Sequence, residues 1–138
     1  MSNNCVFTEK LRSLGLRPTQ QRITICKLLF DRKDTFHFTI DDLKNTLKNI
    51  NIKKISLATI YNTIHALKNK GYLKEISINS EKTYFDTNIS NHHHFFDESK
   101  RELLDLDDKD VGKIKIKKTV PGKKITSIEV LVKIANNN

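Results

Sequence analysis

Three consecutive histidines, His92, His93 and His94, are the densest group of metal-capable side chains in this sequence of 138 residues. Imidazole nitrogen suits zinc, iron and manganese, and it also suits the axial position of a haem iron. Successive side chains of an extended chain point to opposite faces, so His92 and His94 can share a site while His93 looks the other way. The run leads straight into Phe95 and Phe96 inside the chain, which sets it apart from a solvated turn or a terminal tag. Cys5 and Cys26 are too far apart for a C-x-x-C knuckle, and Cys26 reads as core.

A second group of residues is suited to reading nucleic acid. The segment Ser56-Leu57-Ala58-Thr59-Ile60-Tyr61-Asn62-Thr63-Ile64-His65 combines an apolar stripe with short polar and aromatic side chains, as a helix entering the major groove requires. Projected at 100° per residue, Ala58, Asn62, His65 and Asn69 turn outward, with Thr59 and Tyr61 on the flanks. Asn62 can pair with an adenine edge, and Tyr61 and Ala58 can touch thymine methyls. Arg17, Arg22, Lys53, Lys54, Lys68, Lys70 and Lys74 surround this segment and can meet phosphates. Residues 1–75 hold 14 basic and 6 acidic side chains, whereas residues 76–138 hold 11 and 10, so nearly all of the net +9 lies in the first half. Such a field attracts a polyanion, either nucleic acid or an anionic membrane surface.

Around these groups the periodicity predicts the elements that must hold them. Phe7, Leu11 and Leu14 follow helical spacing before Gly15, and Thr19 caps a second helix with Ile23, Cys26, Leu29 and Phe30 inward. Thr39 and the acidic pair Asp41-Asp42 open a third helix, whose stripe is Ile40, Leu43, Leu47 and Ile50. Ser56 opens a fourth, with Leu57, Ile60, Ile64 and Leu67 inward and Gly71 as the stop. The period then falls to two: residues 73–78 and 83–85 flank a polar turn and read as a hairpin. The last three of these helices followed by a hairpin describe a winged helix, a form shared by DNA readers and by protein-interaction modules.

Beyond a polar hinge at 88–91, strands are expected at 93–96 and 102–106 and a longer one through Ile128, Val130, Val132 and Ile134; residues 107–118 have room for a short helix, against which Gly112 and the Lys-Ile alternation weigh. This lobe is too small to bury its sheet alone, and pairing across a two-fold axis would cover it. The expected fold is therefore α+β: an N-terminal winged helix-turn-helix DNA-binding domain at 1–87, the hinge, and a small α/β dimerisation domain at 92–138. No apolar run nears the roughly 18 residues needed to span a bilayer, and the N-terminus lacks a signal-peptide core, so a cytoplasmic protein is expected.

The run Gly15-Leu16-Arg17-Pro18-Thr19-Gln20-Gln21-Arg22, the Ala58-Thr59-Ile60-Tyr61 within the fourth helix, Gly71-Tyr72-Leu73 and the histidine cluster together resemble the ferric uptake regulator superfamily over most of the chain. The resemblance implies a homodimeric transcriptional regulator on double-stranded DNA, with Tyr61 as major-groove reader, Asn62 beside it where many members carry Arg, and Arg17 reaching the minor groove. It implies a sensory site at the junction of the lobes from His37, Asp86, His94 and Asp105, two of them Asp where relatives usually carry Glu. The four-cysteine structural zinc site of the superfamily is not expected, because the first C-x-x-C pair falls on Asp97 and Lys100. The His-His-His-Phe-Phe run, Leu103-Leu104-Asp105-Leu106 and the ending from Val120 onward resemble the iron response regulator branch, which implies haem at His92, His93 and His94.

The leading expectation is thus a repressor or activator of iron and haem homeostasis genes on AT-rich pseudo-palindromic operators, controlled by haem. The alternative is a sister regulator using divalent iron, manganese or zinc as corepressor. A hydrolase built on the same ligands is disfavoured, since no nucleophile, general-base pair or Gly-rich phosphate loop accompanies them.

Overall fold

The computed structural model describes residues 3–50 and 54–137, and the chain divides into two compact units, Met1–Ile89 and Ser90–Asn138. Lys53, one of the expected phosphate contacts, lies outside the described residues.

Among the described residues the first unit holds four helices, whose ends are set by local chemistry. Helix α1 (Asn3–Ser13) buries Phe7 and Leu11 one turn apart, and Gly15 breaks it at φ +76°, a left-handed conformation that side chains with a Cβ resist. The Thr19 hydroxyl caps α2 (Gln20–Phe30) by accepting from the Arg22 amide. Thr39 and Asp42 form a reciprocal capping box at the start of α3 (Ile40–Lys48), each bond 3.0 Å long. Ser56 caps α4 (Leu57–Asn69) by accepting from the Thr59 amide, and Gly71 at φ +88° ends it.

Ile60, Ile64 and Leu67 of α4 are wholly buried, against Ile25 and Leu29 of α2 and Leu43 and Leu47 of α3. At about 1.5–3 kcal/mol for each fully buried aliphatic side chain, this stripe fixes which face of α4 is left outward. Two positions on α4 differ from the hydropathy pattern. Leu57 is 47% exposed, because it sits in the first turn beyond the reach of the core. Thr63 is fully buried, since its hydroxyl donates to the Thr59 carbonyl at 2.7 Å and carries no unmet polarity inward.

A small antiparallel sheet completes this unit in the order β1-β3-β2, from β1 (His37–Phe38), β2 (Lys74–Ser77) and β3 (Thr83–Asp86). The β2–β3 turn is held by Asn79, whose side-chain oxygen accepts from the amides of Glu81 and Lys82. Strand β1 is two residues long and sets His37 opposite Asp86 and Phe38 opposite Phe85. Phe38 and Phe85 are core residues, so the pair beside them is placed by packing.

The second unit is a three-stranded sheet in the order β5-β4-β6, from β4 (His93–Asp97), β5 (Glu102–Leu106) and β6 (Leu131–Ile134). β4 and β5 form an antiparallel hairpin, with Asp97 accepting from the amides of Ser99 and Lys100 in its turn. β6 runs parallel to β4. In the connection between β5 and β6, the short helix for which 107–118 has room is a single 3-10 turn at Asp108–Asp110, and among the described residues this unit holds no α-helix. Asp107 makes no side-chain cap there, and Gly112 followed by alternating Lys and Ile favours extended chain. The last strand is also shorter than expected, pairing only from Leu131.

Candidate metal centre and nucleic-acid surface

The three histidines are all buried, yet their hydrogen bonds divide them into two kinds. His93 is committed at both nitrogens. The backbone N–H of Val130 donates to its Nδ1 at 2.9 Å, which places the ring proton on Nε2, and that N–H donates to Asp108 Oδ1 at 2.8 Å. His93 therefore ties β4 to the chain entering β6 and to the 3-10 turn.

His92 carries the opposite tautomer. Its Nδ1 lies 2.8 Å from the Ser90 carbonyl, which can only accept, so the proton is on Nδ1 and Nε2 is the nitrogen of the neutral ring that can serve as a metal ligand. A carbonyl orienting the distal nitrogen of an imidazole is the usual support of a metal-ligating histidine. That Nε2 lies 3.5 Å from Asp105 Oδ1, and the Nε2 of His94 lies 3.4 Å from the same oxygen. The two rings meet edge to face with centroids 4.4 Å apart. Strand pairing accounts for the third member, since Asp105 of β5 is the register partner of His94.

These distances fit a metal ion. An ion holding ligands at about 2.0–2.1 Å in a tetrahedral arrangement keeps neighbouring donors about 3.3–3.4 Å apart. One ligand atom each from His92, His94 and Asp105 lies within 4.8 Å of the others. Two imidazole nitrogens and a carboxylate oxygen suit zinc, iron and manganese. The Asp105 side chain is 55% exposed, so this half-site is open on one side. His92 was outside the metal quartet expected from sequence. Its spacing two residues before His94 is the available signal, whereas the contact that fixes its tautomer, with the Ser90 carbonyl, has no mark in side-chain chemistry.

In the first unit, His37 and Asp86 face each other across β1 and β3. The Asp86 carboxylate is 1% exposed and accepts from the Asn88 amide at 2.9 Å, while the His37 ring meets Tyr84 edge to face.

The expected DNA-reading residues lie on the outward side of α4 and at its approach. Ala58, Tyr61 and Asn62 are exposed, and Thr59 is half-buried with its hydroxyl 2.9 Å from that of Ser56. Arg17 is exposed before α2. Arg22 is half-buried, and its Nη1 donates to the Arg17 carbonyl at 3.0 Å, so it braces the segment that presents Arg17. Lys68 is half-buried and pairs with Glu75 at 3.5 Å, so a phosphate contact there competes with that carboxylate. Among the described residues no helix is long and apolar enough to cross a membrane.

A sequence profile of the ferric uptake regulator family matches residues 13–133. The peroxide-responsive repressor PerR of Staphylococcus aureus is 33% identical over 96 residues, a match covering 70% of this chain and 63% of that repressor. Among solved structures, the ferric uptake regulator of Pseudomonas aeruginosa with manganese superposes with a TM-score of 0.68 at 16% identity, covering 96% of this chain and 99% of that one. The ferric uptake regulator of Francisella tularensis with iron gives 0.67 at 17% identity, covering 88% and 92%. At such identities the structures speak for the fold. The family is named for a regulator and the Staphylococcus aureus relative is a repressor, and this chain spans 63% of the length of that relative. The profile spans all but the ends of the sequence, and the chain belongs to the ferric uptake regulator family.

Proposed function

We propose that this chain is a homodimeric, divalent-metal-dependent transcriptional regulator whose first unit is a winged helix reading AT-rich pseudo-palindromic operators through α4. In this reading His92, His94 and Asp105 hold iron, manganese or zinc. A bound divalent cation offsets the Asp105 carboxylate charge and orders the strands that carry its ligands. Tyr61, Asn62, Ala58 and Thr59 face bases, and Arg17 supplies the minor-groove contact.

The observation that carries the metal reading is the convergence of His92 Nε2 and His94 Nε2 on Asp105 Oδ1, at 3.5 and 3.4 Å, the spacing of neighbouring donors around one ion. Haem at His92, His93 and His94, and with it an iron response of that kind, has less support: both nitrogens of His93 are already engaged, and the Nε2 atoms of His92 and His94 converge on the Asp105 carboxylate.

Selection of bound duplexes from a random pool tests the function. The full chain is used in chelator, with Mn2+, with Zn2+, with Fe2+ under anaerobic conditions, and with haemin. Enrichment of a two-fold-related AT-rich site with a divalent ion, and none in chelator, is the expected result. Enrichment that is equal in chelator and lost only with haemin overturns the metal-dependent reading. Similarity to a peroxide-responsive repressor makes hydrogen peroxide added to the Fe2+ sample the natural second variable.

A further inference from the structure

One exposed group on α4 is not absorbed by the reading above, and it touches the residue on which that reading leans most. The imidazole of His65 stacks on the Tyr61 ring, one helical turn away, with centroids 5.8 Å apart and planes only 13° from parallel. Its edge meets the ring of Phe85 on β3 with centroids 6.0 Å apart at 86°. Phe85 is 2% exposed and is packed against Phe38 in the core. Tyr61, by contrast, is 42% exposed. A ring half in solvent is held by fewer neighbours than one in the core, so a local stack weighs more in choosing its rotamer.

We infer that His65 is a positioning residue for base readout: it fixes the Tyr61 ring in the orientation that meets the bases by stacking on it, and takes its own rigidity from Phe85. The inference rests on the proposed DNA-reading role of Tyr61. A side chain that must be ordered on binding loses rotamer freedom, and a ring already held in place loses less. A stacked aromatic pair supplies the restraint, and by its usual strength its loss weakens operator binding about 3–10-fold. His65 acts through Tyr61 and not through phosphates, so affinity for random-sequence DNA and the slope of log affinity against log salt stay as they are.

The test is a double-mutant cycle on the operator selected above, measured by fluorescence anisotropy with the metal-loaded full chain. His65→Ala is expected to weaken operator binding about 3–10-fold in the wild-type background and to add nothing in the Tyr61→Ala background. His65→Phe keeps a flat ring in the stack and is expected to restore binding. An equal loss in both backgrounds overturns the inference, and so does a His65→Phe variant as weak as His65→Ala, which would show that the imidazole nitrogens touch DNA directly. Parallel loss on random-sequence DNA also overturns it, by making His65 a phosphate contact. If the wild-type chain binds no duplex at all, the DNA-reading function itself fails, and that outcome is separate from each of these.

Discussion

Replacing His93 by Ala separates the two roles that the histidine run contains. The ring is 4% exposed, and its removal leaves the Val130 N–H without its acceptor, which costs about 1–3 kcal/mol for a buried donor. Its partner Asp108 has a side chain 81% exposed, so the loss of that pair adds no more than about 1 kcal/mol. The metal-free chain is therefore destabilised by about 1–4 kcal/mol, a fall on the order of 10 °C in the thermal midpoint at this chain length. Metal binding responds differently, because His93 points away from the face that carries His92, His94 and Asp105. Circular dichroism melts in chelator, paired with Mn2+ titrations well below the lowered midpoint, measure both. The expected result is a large drop in midpoint with Mn2+ affinity within about threefold of wild type. An unchanged midpoint refutes the structural role, and loss of Mn2+ binding as complete as in His92→Ala refutes the division of the run.

Two further substitutions test the frame. Cys26 is held by burial well above an ordinary thiol, from 9.0 up to about 11, with Lys10 opposing the shift. At neutral pH iodoacetamide should label the exposed Cys5 and spare Cys26, as read by peptide mass spectrometry. Because the folded state keeps this proton while the unfolded state loses it, stability conferred by the neutral thiol is complete below pH 9.0 and is lost as pH rises toward about 11. The loss is about 2–3 kcal/mol, and Cys26→Ala should flatten that part of the wild-type stability profile. Thr39→Ala removes one half of the α3 capping box and should cost about 1 kcal/mol in urea unfolding, with Thr39→Ser close to wild type. Equal losses for Ala and Ser would assign the effect to the lost methyl group.

What the sequence disclosed followed the range of the forces involved. The helix starts at Thr19, Thr39 and Ser56 and the stops at Gly15 and Gly71 were legible, because a cap or a left-handed residue acts on its own turn. The buried stripe Ile60, Ile64 and Leu67 was legible for the same reason of local period. β1 was not: two residues, His37 and Phe38, become a strand only because Asp86 and Phe85 of β3, remote in the chain, lie beside them. Thr63 falls outside the expected apolar stripe and is buried because its hydroxyl is spent on its own helix. The short helix for which 107–118 has room shrank to a 3-10 turn where propensity met Gly112 and a Lys-Ile alternation. At the candidate site, alternation separates His93 from His92 and His94, but side-chain spacing says nothing of a tautomer. The Ser90 carbonyl and the Val130 amide decide which nitrogen each ring offers, and backbone groups leave no trace in residue type.

The central claim, that divalent metal at His92, His94 and Asp105 governs operator binding, is tested most directly by anisotropy on the selected operator across a Mn2+ titration, with wild type and Asp105→Ala in parallel. Coupling between metal and DNA sites of the usual size raises wild-type affinity about 5–150-fold between chelator and saturating Mn2+. Asp105→Ala should hold the chelator affinity throughout the titration while random-sequence binding and its salt slope stay at wild-type values. Wild-type affinity that is the same in chelator and in Mn2+, or an Asp105→Ala response as large as that of wild type, would contradict the account.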